Sequence, residues 1–175
     1  MDQSDQQHRN GEEMSLYTEL ASKAVAWSKR FHDHHDACSA FANRIAGDYS
    51  VYIDAPQKNV RFIKLDGDLR STNKVTPCTG PAPMTLGKDE FWYFGLSLFL
   101  EQEGSKYYMT ENIAVGLQQG KDEWIVRWND TDHHVPFGDF SKVRTLFDAW
   151  TAMSNDTFDG PVTRRANGIG FVPSE

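Results

Sequence analysis

Five of the six histidines stand in two short clusters, each accompanied by carboxylates. The first runs His32-Asp33-His34-His35-Asp36 and the second Asp132-His133-His134. Imidazole and carboxylate together are ligand types for zinc and other first-row metals. His32, His34, His35, Asp36, Asp132, His133 and His134 are therefore the candidate ligands of a divalent metal such as zinc. On a helix, His32 and Asp36 share a face at i, i+4, and so do His34 and Cys38. The second cluster could add a ligand if that helix crosses the sheet near the end of its last strand. Helical phase opposes a single site. His34 lies within the apolar stripe, whereas His32 points roughly 160° away from Leu16. There is no HExxH or CxxC spacing. The simpler expectation is a core imidazole at His34, a solvated face at His32, Asp33 and Asp36, and a polar connector at His133 and His134.

Nucleophilic chemistry has less support. Cys38 sits on the helix stripe, where a buried thiol is inert. Cys78 is expected to be exposed, in a long loop. No GxSxG elbow, Walker loop or GxGxxG occurs. No catalytic signature emerges, and the reading leans away from an enzyme.

The elements that must position any site are clearest at 91–130. Trp92, Phe94, Leu96, Leu98 and Leu100 alternate onto one face of a strand. Tyr107, Met109, Ile113, Val115 and Leu117 do so on a second, and Trp124, Val126 and Trp128 on a third. A first turn centred on Glu103-Gly104 pairs Leu98 with Met109 and Phe94 with Ile113. A second centred on Gly120-Lys121 suits a type II′ hairpin and pairs Leu117 with Trp124. This register places Glu111 on the apolar face, opposite Leu96, as a candidate ligand anchor. The opposite face carries Tyr93, Phe99, Tyr108, Ile125 and Arg127, with Phe99 facing Tyr108 and shallow gaps at Gly95 and Gly116. It is aromatic for a solvated face and is a candidate partner-binding surface, unless the loop or the tail covers it.

Before the meander, Ser15 is a candidate N-cap. Leu16, Leu20, Ala24, Trp27, Phe31, Cys38, Phe41 and Ile45 make an amphipathic stripe. Gly47 suits the helix end. A helix over 16–46 would be about 46 Å long, against the ~33 Å of a ten-residue strand. A bend, or an overhang into a dimer, is therefore an expectation. A hairpin is expected next, with Tyr49, Val51 and Ile53 facing Ile63 and Leu65 across a Gln57-Lys58-Asn59 loop. Residues 66–90 read as a long loop. A helix from about 140 to 156, capped by Asp139 or Ser141, shows Val143, Leu146, Phe147, Trp150 and Met153 on its apolar face.

The expected fold class is α+β: a five-stranded antiparallel sheet, made of a two-strand hairpin plus a three-strand meander, packed by a long N-terminal helix and a C-terminal helix. The expected organisation is a polar tail at 1–13, a single domain at 14–160, and a C-terminal tail at 161–175.

The formal charge of −7 argues against a nucleic-acid partner. No apolar run spans a bilayer, and two cysteines make no disulfide framework. The default compartment is the cytoplasm. The leading functional expectation is a small, acidic, soluble, non-catalytic binding module. It would engage a protein partner, or a second copy as a homodimer, in an adaptor, immunity or chaperone-like role. Two alternatives stand beside it. One is a small-ligand sensor with a pocket between sheet and helix, anchored by Glu111 or His34. The other is a metal-dependent enzyme built on the histidine clusters.

Overall fold

The computed structural model describes residues 15–100, 108–159 and 169–172. Helix α1 (Leu16–Tyr52) is followed by a 3-10 turn at Gln57–Asn59 and strands β1 (Val60–Leu65), β2 (Ser71–Pro77) and β3 (Thr85–Leu86). Strands β4 (Trp92–Leu100), β5 (Tyr108–Gln119), β6 (Glu123–Trp128) and β7 (Thr131–Pro136) come next. A 3-10 turn at Phe140–Val143 leads into helix α2 (Arg144–Phe158), and β8 (Ile169–Val172) closes the order. The fold is α+β with an antiparallel sheet, as expected, but the sheet has eight strands rather than five. Its path is β2-β1-β4-β5-β6-β7, with β3 added to β4 and β8 to β5.

Ser15 does cap α1: its hydroxyl accepts the Thr18 N–H at 3.2 Å. The helix does not stop at Gly47. A glycine inside a helix costs only about 1 kcal/mol, and the following turn recovers it through Tyr49. That ring packs 5.2 Å from Phe147 and 5.1 Å from Trp150. The stop comes at Asp54, whose φ is +52°. Ala55 N–H reaches back to Ser50 O and Asp54 N–H to Val51 O, the paired bonds of a Schellman end. Pro56 then forbids a further turn. Tyr49, Val51 and Ile53 are therefore not a strand. Their alternation is fortuitous, and Val51 faces solvent.

The hairpin partner of β1 is β2, inside the stretch expected to be loop. Ile63 lies opposite Val75 and Leu65 opposite Ser71. The β2 sequence STNKVTP has one aliphatic residue because it is an edge strand and needs little apolar surface. The turn into it is organised by Asp66, whose Oδ1 accepts the N–H groups of Asp68 and Arg70. Strand β7 was likewise expected to be a connector. Asn129 and Asp130 both have left-handed φ, +48° and +58°. They form the two-residue turn whose twist matches a hairpin.

Both meander hairpins lie two residues away from the expected register. Leu96 pairs with Ile113, Leu98 with Glu111, and Leu117 with Val126. The second turn is centred on Lys121-Asp122, with Gly120 N–H bonded to Glu123 O at 2.8 Å. Gly120 does not take the positive φ that a type II′ turn would need. A two-residue slip preserves side-chain parity, so each face keeps its residues. The first turn, at Glu103-Gly104, lies outside the described residues. So do the expected tails, apart from Ile169–Val172, which pair with β5.

The chain divides into two compact units, Met1–Asp33 and His34–Glu175, and α1 contributes to both. In the second unit the core joins Cys38, Phe41, Ile45 and Tyr49 of α1 to the inner face of the sheet. That face includes Phe62, Phe94, Leu96, Val115, Leu117 and Val126. Leu146, Phe147 and Trp150 of α2 complete the core, and α2 is reached through a turn whose start Asp139 caps at Ser141 N–H. No helix among the described residues is long and apolar enough to cross a membrane.

Candidate functional site

The first unit is helical from Leu16 and presents large apolar residues to solvent. Leu16 is 79% exposed, Tyr17 82%, Leu20 65%, Val25 71% and Trp27 60%. Tyr17, Leu20, Ala24, Trp27 and Phe31 follow a 3-4-3-4 spacing, the repeat of a helix that packs along another helix. Trp27 and Phe31 stack on each other at 5.3 Å. The flanks hold i, i+4 ion pairs, Glu19–Lys23 and Lys29–Asp33. In the second unit the continuing positions Cys38, Phe41 and Ile45 are buried.

The outer sheet face is occupied from within its own unit. Ile63, Leu65, Phe91 and Tyr93 form a buried cluster, with Leu69, Val75, Ala114 and Ile125 packed on it. The expected gaps are filled. Tyr93 lies across the sheet from Gly116, and a Cβ there would come within 2.7 Å of its ring. A Cβ on Gly95 would collide with Ile63. Arg127 ties the cluster together. Its guanidinium stacks 3.8 Å above Phe91, grips both Asp132 oxygens at 2.6 and 2.9 Å, and donates to Asp89 at 2.8 Å. The Tyr93 hydroxyl donates to the same Asp89 oxygen at 2.7 Å.

This network sets the local acidities. Burial works to raise the Asp89 pKa, but hydrogen bonds from Tyr93, Arg127 and the Phe91 N–H hold it below the usual carboxylate range. Asp132 is lowered chiefly by its Arg127 hydrogen bond. Burial and the Asp89 bond push Tyr93 up to about 12. Phe99 lies beneath the Arg61 guanidinium at 4.6 Å and pairs with Thr110 rather than Tyr108. The side chains of Tyr108 and Glu111 lie outside the described residues. By backbone register Glu111 sits opposite Leu98.

Four of the five described histidines have separate hydrogen-bond partners. His34 Nε2 accepts the Gln119 N–H at 3.3 Å, and burial lowers its pKa. His35 contacts Asp36 at 2.9 Å and meets Trp92 edge-on at 4.9 Å. His32 bonds the Ser28 carbonyl at 2.7 Å. His134 bonds Glu123 at 2.8 Å, and Asp132 belongs to Arg127. His133 Nε2 is buried without a hydrogen-bond partner. Among the described residues, no three His, Cys, Asp or Glu side chains come together as a metal site. Burial pushes the Cys38 thiol up to about 12 and that of Cys78 to about 11. Cys78 is partly buried rather than exposed.

Two concavities lie in the second unit. One, of about 290 Å³, is lined by Asp48, Tyr52, Phe140, Ser141, Arg144 and Phe147. The Tyr52 hydroxyl bonds Asp148 beside it. The other, of about 380 Å³, is lined by Leu69, Arg70, Asn112, Ala114, Trp128 and Met153 among others. Asn112 Oδ1 is buried with no partner. Leu69 and Asn129, both lining this pocket, hold left-handed φ. His34 is not among its described lining residues. From the sequence Arg127 was a candidate partner-binding residue, and its role in joining Asp89, Asp132 and Phe91 was not legible. Of the two carboxylates that position it, Asp132 was read as a candidate metal ligand and Asp89 carried no sequence signal beyond its charge.

Comparisons with protein-family models, with curated proteins and with solved structures find no match.

Proposed function

We propose that this protein is a binding module that engages a protein partner through the first half of α1. The observation that carries this reading is the solvent-facing run Leu16, Tyr17, Leu20 and Trp27. Contiguous exposed apolar surface of that kind marks an interaction site. The aromatic sheet face is the weaker candidate, since Phe91 and Tyr93 are buried in a cluster of their own. The acidity of the chain and the separate engagement of His32, His34, His35 and His134 are consistent with a non-catalytic role. Light scattering of the wild-type chain, together with affinity capture, tests the reading against Leu20→Glu and Trp27→Glu. Association or capture should occur with the wild type and be lost in both variants. A chain that stays monomeric and recovers no partner overturns it.

A second reading rests on the 380 Å³ pocket, which falls in the size range of small-molecule sites. The unpartnered Asn112 Oδ1 asks for a hydrogen-bond donor, and Leu69, Trp128 and Met153 supply apolar walls. A thermal-shift screen with small amphipathic amides and acids tests it. Stabilisation in the wild type that disappears in Asn112→Leu supports a ligand; no hit across the screen removes the reading.

A further inference from the structure

We infer that the ligand of the 380 Å³ pocket is a small carboxylic acid that carries a secondary amide and an apolar side chain, the chemistry of an N-acylated hydrophobic amino acid. The inference rests on the reading of that pocket as a ligand site and names the class of molecule it takes.

The pocket offers a cation that has no anion of its own. Arg70 is the one charged residue among the described lining residues, in a chain whose formal charge is −7. Its guanidinium is in no ion pair with a described carboxylate. Its backbone is fixed on both sides. The Arg70 N–H donates to Asp66 Oδ1 at 2.9 Å, and its carbonyl accepts the Asp66 N–H at 2.9 Å. Asp66 thus spends a carboxylate oxygen on the turn itself, and neither Asp66 nor Asp68 is among the described lining residues. A guanidinium on a fixed turn suits a carboxylate, which it can bind through paired N–H groups.

The second polar feature is buried. Asn112 Oδ1 is hidden without a hydrogen-bond partner. Directly across from it in β4 stands Ser97, 1% exposed, whose Oγ also lacks a partner. Buried polar atoms left unmet are uncommon, and two at facing positions make a polar end in a face that is otherwise aromatic and aliphatic. A carboxamide presents an acceptor and two N–H donors in one plane. A secondary amide in the ligand answers it, donating its N–H to Asn112 Oδ1 and accepting at its carbonyl from Asn112 Nδ2. Leu65, Leu69, Trp128 and Met153 line the pocket as apolar walls for a side chain. An anion alone leaves Asn112 unmet, and a neutral amide alone leaves Arg70 unused. One molecule with both groups meets both.

Titration of the full chain, followed through its backbone amide NMR shifts, tests this. The probes are N-acetyl-L-phenylalanine, its methyl ester, and the same acid methylated on the amide nitrogen. The acid is expected to move the amides of residues 69–71 and 112–114 saturably. The ester and the N-methylated acid should each bind roughly tenfold more weakly. Arg70→Gln should weaken the acid by that factor and leave the ester unchanged, whereas Asn112→Leu should weaken acid and ester alike. If Asn112→Leu fails to fold, the N-methylated acid still tests the amide contact on the wild-type chain. Equal affinity for acid and ester, undiminished in Arg70→Gln, overturns the inference and leaves the pocket a ligand site. Equal affinity for the acid and its N-methylated form overturns it in the same way. No shift with the acid up to about 10 mM overturns the inference as well. The wider screen of amides and acids then decides separately whether the pocket reading stands.

Discussion

At the residue scale, His34 and Arg127 each join separate elements of the second unit. His34 accepts a backbone N–H from the end of β5, which requires a neutral Nε2. Its pKa is lowered in the folded state, so the unfolded chain binds the proton more readily. Stability from this group is therefore full above the ordinary histidine pKa of about 6.5 and falls as pH drops below it. Urea midpoints measured from pH 7.5 to 5.5 should decline, and His34→Gln should flatten that slope. The carboxylates Asp89 and Asp132, also lowered, act in a separate window below about pH 4. Gly116 gives a second test. Its Cα lies beneath the Tyr93 ring, so Gly116→Ala should cost about 1–3 kcal/mol in chemical denaturation, as overpacking does. The sequence suggested that His34 lay on the core stripe. It could not show the Gln119 amide, because that contact joins residues 85 positions apart.

At the scale of elements, legibility followed the strength of the apolar pattern. The meander's faces and the buried side of α2 were readable because alternation and helical spacing are dense there. Register was not, since parity is unchanged by a two-residue shift and the turns chose among equivalent pairings. Strands β2 and β7 were missed because they are polar, and α1 ran through Gly47 because Tyr49 found tertiary partners. Two left-handed residues mark where local cost is still carried. Asp54→Gly should stabilise by about 0.5–1 kcal/mol, since glycine takes the helix-ending conformation without a Cβ penalty. Asp130→Gly, which creates the favoured Asn-Gly turn before β7, should also raise the thermal midpoint. A fall in either variant would show that the aspartate side chain contributes more than its backbone strain costs.

At the scale of the whole molecule, one helix serves two environments. Residues 38–49 of α1 are held by a core containing Phe41, Ile45 and Tyr49, whereas Leu16, Leu20 and Trp27 face solvent. Hydrogen exchange should separate them. Amides between Leu16 and Asp33 should exchange through local opening, and those around Ile45 only with global unfolding. Uniform protection along α1 in dilute solution would contradict this division.

The polar edge strands also decide how association can end. β2 and β7, at the two ends of the sheet path, are short, poor in aliphatic residues and finish in Pro77 and Pro136. Such margins offer a poor template for strand addition by a neighbour. Growth through the sheet is thereby discouraged. A sheet guarded in this way resists extending into a fibre strand by strand.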